Sequence, residues 1–203
     1  EELIEEMFPI EMPEEFVPIT TTGTRKRFVD YLIQRGFQEE DILDLIADYD
    51  LRCALTGPYK FRIVFPQYFA GELVSWTARS ILSTEQKRYI SASGGAIKRT
   101  LFNIDVLMEG GKILLVTEGP MDALKLDFYG KRFDIRATCL FGVVPTSIQL
   151  DWLRILAPEY SKVLLVFDAD ATAQTLATCA NLADVGIGFK TLPFGVKDPG
   201  DMS

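Results

Sequence analysis

The spacing of apolar residues changes along the chain, and each change predicts a different kind of element. Between Thr24 and Asp48 the apolar positions fall three and four apart: Phe28, Leu32 and Ile33 precede an Arg35-Gly36 break, and Ile42, Leu45 and Ile46 follow it. That period predicts two short helices forming a hairpin. From Tyr59 to Ile81 the spacing shortens, and KFRIVFPQ and ELVSWTARSI flank Ala70-Gly71 as the strands of an antiparallel hairpin flank their turn. The run SASGGAIKRT reads as a loop, and Glu109-Gly110-Gly111 as the end of a mixed α+β lobe.

Beyond residue 110 one unit repeats. KILLVT, DIRATCLF, KVLLVF and GFKTLPF are strand-like, and MDALKLDFYG, TSIQLDWLRILA and TAQTLATCANLADVG between them are helix-like. Strict alternation predicts parallel strands joined by crossover helices, a small doubly wound α/β domain. The expected organisation is an acidic leader or arm over 1–23, an α+β basic lobe over 24–110 and a parallel-sheet domain over 111–203.

Composition narrows the chemistry. Of 203 residues 48% are hydrophobic, which predicts a globular protein. No apolar run nears the ~20 residues that cross a bilayer, so no membrane partner is expected. The chain has no histidine, and its three cysteines, Cys53, Cys139 and Cys179, are far apart. A disulfide framework, a zinc site and every histidine-based mechanism are therefore not expected; the thiols suit a reducing, cytoplasmic compartment. The net charge of −8 is concentrated at the start, where residues 1–16 hold seven acids and no base. Residues 60–99 are the opposite: Lys60, Arg62, Arg79, Lys87, Arg88, Lys98 and Arg99 face only Glu72 and Glu85. No initiator Met stands at position 1, so the chain is expected to be part of something longer.

Acids collect where strands end. Glu118 comes one residue after KILLV-Thr117 with Asp122 in the next helical turn, Asp168 and Asp170 follow VLLVF, and Asp198 and Asp201 follow the fourth strand. Gly119 is read as the turn residue. Any one of these acids has an ordinary explanation as a helix cap. Four of them after two strands, with no Lys or Arg between either pair, repel one another unless a hard divalent cation such as Mg²⁺ joins them.

The motifs E-G-x-x-D-A, D-x-D and D-P-G-D, in that order, resemble the Toprim domain. FVDYLIQRGFQEEDI, FRIVFPQYFAGELVSWTAR, KRYISAS and AIKRTLFN, followed by FGVVPTSIQL, resemble the catalytic core of DnaG-type primases over roughly residues 24–203. The resemblance implies a metal-binding face of Glu118, Asp122, Asp168, Asp170, Asp198 and Asp201, with Glu118, Asp168 and Asp170 at the chemistry. It implies that Arg62, Arg79, Arg88 and Lys98, and with them Lys87 and Arg99, hold template and nucleotides. Tyr68, Trp76 and Tyr89 are candidates to stack on bases, although core packing is the expected place for most aromatics.

The implied activity is synthesis of short RNA primers on single-stranded DNA from ribonucleoside triphosphates, with Mg²⁺ or Mn²⁺ as cofactor. No zinc is expected on this chain, so template choice falls to a separate zinc-binding module, alongside a replicative helicase. A phage origin would place the protein in the host cytoplasm. The family usually follows D-x-D with a glycine; here the run is DADATAQ, which alters the backbone approach to a phosphate. Two rival readings are a Toprim nuclease and a catalytically weakened module that binds single-stranded DNA.

Overall fold

The β-rich runs and the alternating helices go to separate sheets. The computed structural model describes residues 7–94, 96–190 and 192, and the chain divides into two units, residues 1–97 and 98–203. Residues 98–110, expected to close the first lobe, belong to the second unit.

The first unit is built on an antiparallel sheet of β1 (Phe16–Pro18), β2 (Arg52–Ala54), β3 (Arg62–Phe69), β4 (Glu72–Ser80) and β5 (Tyr89–Ser91), paired in chain order. The β3–β4 hairpin closes at Ala70 and Gly71, whose φ angles of 51° and 78° are those a two-residue type I′ turn demands. The expected helical hairpin is present as α1 (Lys26–Gln34) and α2 (Ile42–Asp48), which bury Phe28, Leu32 and Leu45 completely. The three-residue strands β1, β2 and β5 have no counterpart in the sequence reading, and β5 lies inside the KRYISAS stretch. The acidic leader is an arm from residue 7 onward. Ile10 donates its N–H to the carbonyl of Leu73 at 2.7 Å, and Phe16, 4% exposed, packs edge-on against Trp76 with ring centroids 4.9 Å apart.

The second unit carries a parallel sheet in the order β7-β6-β8-β9, with β6 at Gly111–Thr117, β7 at Ile135–Cys139, β8 at Tyr160–Leu165 and β9 at Gly188–Phe189. A short α3 (Ile104–Leu107) precedes them, and α4 (Pro120–Gly130), α5 (Ser147–Leu156) and α6 (Thr172–Asn181) alternate with them. β6 and β8 supply the apolar centre, with Leu114, Val116 and Leu165 fully buried. One buried charge pins a helix to this sheet. Asp127 of α4, 0% exposed, accepts hydrogen bonds from Arg136 Nε at 2.9 Å, Arg136 Nη2 at 2.8 Å and the N–H of Ala137 at 2.7 Å, all on β7.

Removing the carboxylate leaves the Arg136 charge and the Ala137 N–H without it in an apolar setting. Asp127→Ala is expected to lower stability by about 3–5 kcal/mol in urea unfolding, and replacing Asp127 and Arg136 together by leucine to cost clearly less.

Candidate active site

In a doubly wound sheet the crevice for ligands opens where successive crossovers diverge, at the carboxyl ends of the strands. Here β6 lies between β7 and β8, so the chain leaves β6 toward one side and returns on the other; the switch point falls between β6 and β8. Glu118 directly follows β6, and Asp168 comes three residues beyond the end of β8. The N–H of Val166 donates to the carbonyl of Val116 at 2.8 Å, and the N–H of Asp168 donates to Glu118 Oε1 at 2.8 Å. Two of the acids marked in the sequence are thus brought together from segments fifty residues apart.

The others are arranged more loosely. Asp170 is exposed, yet its charge acts on Glu118. Asp122 is in the first turn of α4, half-buried and close enough to act on the thiol of Cys139, which burial pushes up. Asp198 and Asp201 lie outside the described residues. Gly119 caps α4 at φ −123° and ψ 154°, a conformation open to any residue, so the turn does not depend on glycine's freedom as expected. Pro120 at the first helical position fixes the helix start instead.

As ligands, the acids suit a hard divalent ion in kind, since their carboxylate oxygens are what Mg²⁺ or Mn²⁺ takes. They are not gathered into a ready cage: among the described residues no group of three or more Asp, Glu, Cys or His is close enough to hold a metal. Beside Asp168 lies a cavity of about 110 Å³ whose wall includes Phe167, Thr172, Leu176, Phe189 and Lys190. It joins apolar surface to the Lys190 ammonium and the hydroxyls of Thr172 and Thr175 next to the candidate metal site.

Lys98 and Arg99 belong to the same unit as the acids. Side chains of α5 and its cap hold three successive carbonyls of this segment: Thr146 Oγ1 donates to Lys98 O at 2.8 Å, Trp152 Nε1 to Arg99 O at 3.0 Å and Gln149 Nε2 to Thr100 O at 3.1 Å. Thr146 and Gln149 also form a capping box, a spacing that the PTSIQ run displays. The Lys98 ammonium donates to Leu140 O at 3.1 Å and Val144 O at 3.4 Å, and burial lowers its pKa. It is anchored on the loop after β7, where the N–H of Gly142 also donates to the carbonyl of Glu118 at 2.9 Å.

In the first unit the basic residues divide sharply. Arg62 is 3% exposed and donates to the carbonyls of Arg88 at 3.1 Å and Ala78 at 3.5 Å, with Glu85 at 3.9 Å. It braces the sheet. Lys87 and Arg88 are exposed, and Arg79 is half-buried, donating to the hydroxyls of Tyr31 and Tyr89. Of the candidate stacking aromatics, Trp76 is 4% exposed within the core and Tyr68 donates to Asp50. Asp127, Tyr31 and the cavity residues carried no signal in the sequence.

Burial holds the Glu118 carboxyl above its ordinary range and Asp170 adds to the rise, against the lowering effect of the Asp168 N–H. A carboxyl that keeps its proton more readily when folded loses stability for the protein as pH rises from its ordinary value of 4.5 through the raised one. Glu118→Gln cannot ionise and can still accept the Asp168 N–H. In metal-free protein it is expected to raise Tm above wild type at neutral pH, with the gain absent below about pH 4.

Comparison of the sequence with models of protein families and with characterised proteins gives no match. Solved structures do match. A DnaG primase catalytic domain bound to ssDNA aligns with a TM-score of 0.64 and 20% identity over 88% of this chain and 69% of that one. The primase fragment of the bacteriophage T7 primase-helicase protein gives 0.62 and 17% over 83% and 66%. The RNA polymerase domain of Mycobacterium tuberculosis primase DnaG, in complex with a double-stranded DNA oligomer with a 6-nucleotide overhang, gives 0.67 and 18% over 92% and 71%. The chain spans about two thirds of the length of these structures, and over that span it has the fold of the DnaG-type primase catalytic domain.

Proposed function

We propose that the chain is the RNA-polymerising core of a primase, joining ribonucleotides on a single-stranded DNA template. The observation that carries this reading is the meeting of Glu118 and Asp168 at the switch point of a primase-like fold. Glu118, Asp168 and Asp170 would hold Mg²⁺ or Mn²⁺, joined by Asp122, Asp198 and Asp201. Such an ion, when bound, lowers the pKa of the attacking 3′-hydroxyl and neutralises charge on the departing pyrophosphate.

The chain's own residues do the rest. Asp168 and Glu118 fix each other's loops, so the hydroxyl and the α-phosphate meet a preset edge. Glu118, half-buried and nearest the strand end, would take up the proton released as the new bond forms. Exposed Lys87 and Arg88 supply charge for template phosphates. Single-stranded DNA as ligand and a helicase as partner follow the neighbours found bound to ssDNA and as part of a primase-helicase protein. Ribonucleoside triphosphates and a separate zinc-binding module complete the proposal. Among the described residues no helix is long and apolar enough to cross a membrane.

The test is incorporation of labelled ribonucleotides on single-stranded DNA with Mg²⁺ or Mn²⁺. The proposal expects short RNA products from the wild type, abolished by Asp168→Ala and by Glu118→Gln while both variants stay folded by circular dichroism. Full activity in either variant would sink the assignment. DNA binding without synthesis favours the binding module, and template cleavage in the absence of nucleotides marks a nuclease.

A further inference from the structure

Arg79 is held unlike Arg52, Arg136 and Arg154. Arg52 is bound by Asp50, Arg136 by Asp127 and Arg154 by Asp151 and Asp184, so each of those charges is matched by a carboxylate. The Arg79 guanidinium is fixed by two neutral hydroxyls: its Nε donates to Tyr31 Oη at 2.8 Å and its Nη1 to Tyr89 Oη at 2.6 Å. Its centre also stands 5.2 Å from the centroid of the Tyr89 ring. The two tyrosines come from different elements, Tyr31 from α1 and Tyr89 from β5, and Tyr89 is the register partner of Arg79 across the β4–β5 ladder. No carboxylate among the described residues pairs with this guanidinium, and its Nη2 is not among the side-chain nitrogens buried without a partner.

A half-buried guanidinium stays ionised and loses part of its hydration, which favours matching it with an acid. Two phenol oxygens instead fix the plane of the group and leave its full positive charge for an outside anion. A guanidinium fork held in one plane is suited to bidentate contact with a phosphate. Lys87 and Arg88, both exposed, immediately precede Tyr89, so a phosphate at Arg79 would be one of several along a strand.

We infer that Tyr31 and Tyr89 are positioning residues that aim Arg79 at a phosphate, their hydroxyls orienting the cation without neutralising it. The inference rests on the nucleic-acid reading above and deepens it. Arg79 makes the contact and the tyrosines act through it; the phosphate belongs either to the template strand or to an incoming nucleotide.

The experiment is a mutant cycle read by binding. Wild type, Tyr31→Phe, Tyr89→Phe, the double Phe variant, Arg79→Gln and Arg79→Gln carrying both Phe changes are titrated with labelled oligothymidylate of about 20 nucleotides over a salt series, and separately with ATP. The double Phe variant is expected to bind roughly three- to tenfold more weakly to whichever ligand supplies the phosphate. For the oligonucleotide, Arg79→Gln is expected to reduce the salt slope by about 0.7. In the Arg79→Gln background the Phe changes are expected to cost nothing further, since they act only through the arginine. Equal losses in both backgrounds would mean that the tyrosines act independently of Arg79, and unchanged affinities for both ligands in the double Phe variant would remove the clamp; either result overturns the inference. Absence of any oligonucleotide binding by the wild type would instead count against the template-binding reading itself, so the two failures are distinguishable. Urea unfolding of every variant separates loss of fold from loss of aim.

Discussion

The short contact between the N–H of Asp168 and the carboxylate of Glu118 depends on which strands are neighbours. β6 and β8 are adjacent only because the chain passes to β7 on one side and returns on the other, and this order places the buried apolar ends of two strands next to each other. Neither acid could reach that position from a loop of its own. The buried strands therefore do more than form a core: they set two carboxyl groups side by side where water is partly excluded, and that exclusion raises the Glu118 carboxyl above its ordinary range. A site of this kind is costly to the fold when empty and favourable when a cation fills it.

Much of that arrangement was readable from the residues alone. Three apolar runs of the second unit hold β6, β7 and β8, Gly188–Phe189 of the fourth is β9, and Glu118 and Asp168 follow β6 and β8 on the edge the alternation predicts, because parallel strands with helical returns all finish at the same side. What could not be read was anything depending on a distant partner. β1, β2 and β5 are three residues long, too short to display a period, and exist through pairings such as Phe16 with Ala54. In the same way Arg62 and Arg79 look alike in the sequence, yet one is enclosed among carbonyls and the other held by phenols from two elements. Asp127 looks like a polar residue in an amphipathic helix, but it is the buried anchor between α4 and β7. Charge pattern predicted which side chains are basic; tertiary contacts decide which of them are accessible.

The two units divide the chemistry between them. The acids, Lys98 and Arg99 belong to residues 98–203, and the exposed bases Lys87 and Arg88 with the tyrosine-held arginine to residues 1–97. Lys98 and Arg99 continue the basic run of the first unit in sequence, but in the fold they are held by α5. A boundary drawn from turn signals at residue 110 misses this, because hydrogen bonds across some fifty residues outweigh a local glycine pair.

Gln149 bears on how freely this protein can diverge. In most helices the third position of a capping box accepts Glu and Gln interchangeably, because only an oxygen is needed to receive the cap's N–H. Here the same side chain, 0% exposed, also donates from Nε2 to Thr100 O and to Leu140 O. Glutamate would complete the cap and fail both carbonyls, leaving a charge enclosed among oxygens. One amide thus serves a helix start, the segment behind the lysine and the loop beyond β7, and an exchange neutral on a solvent-facing helix becomes a forbidden step in this chain's drift.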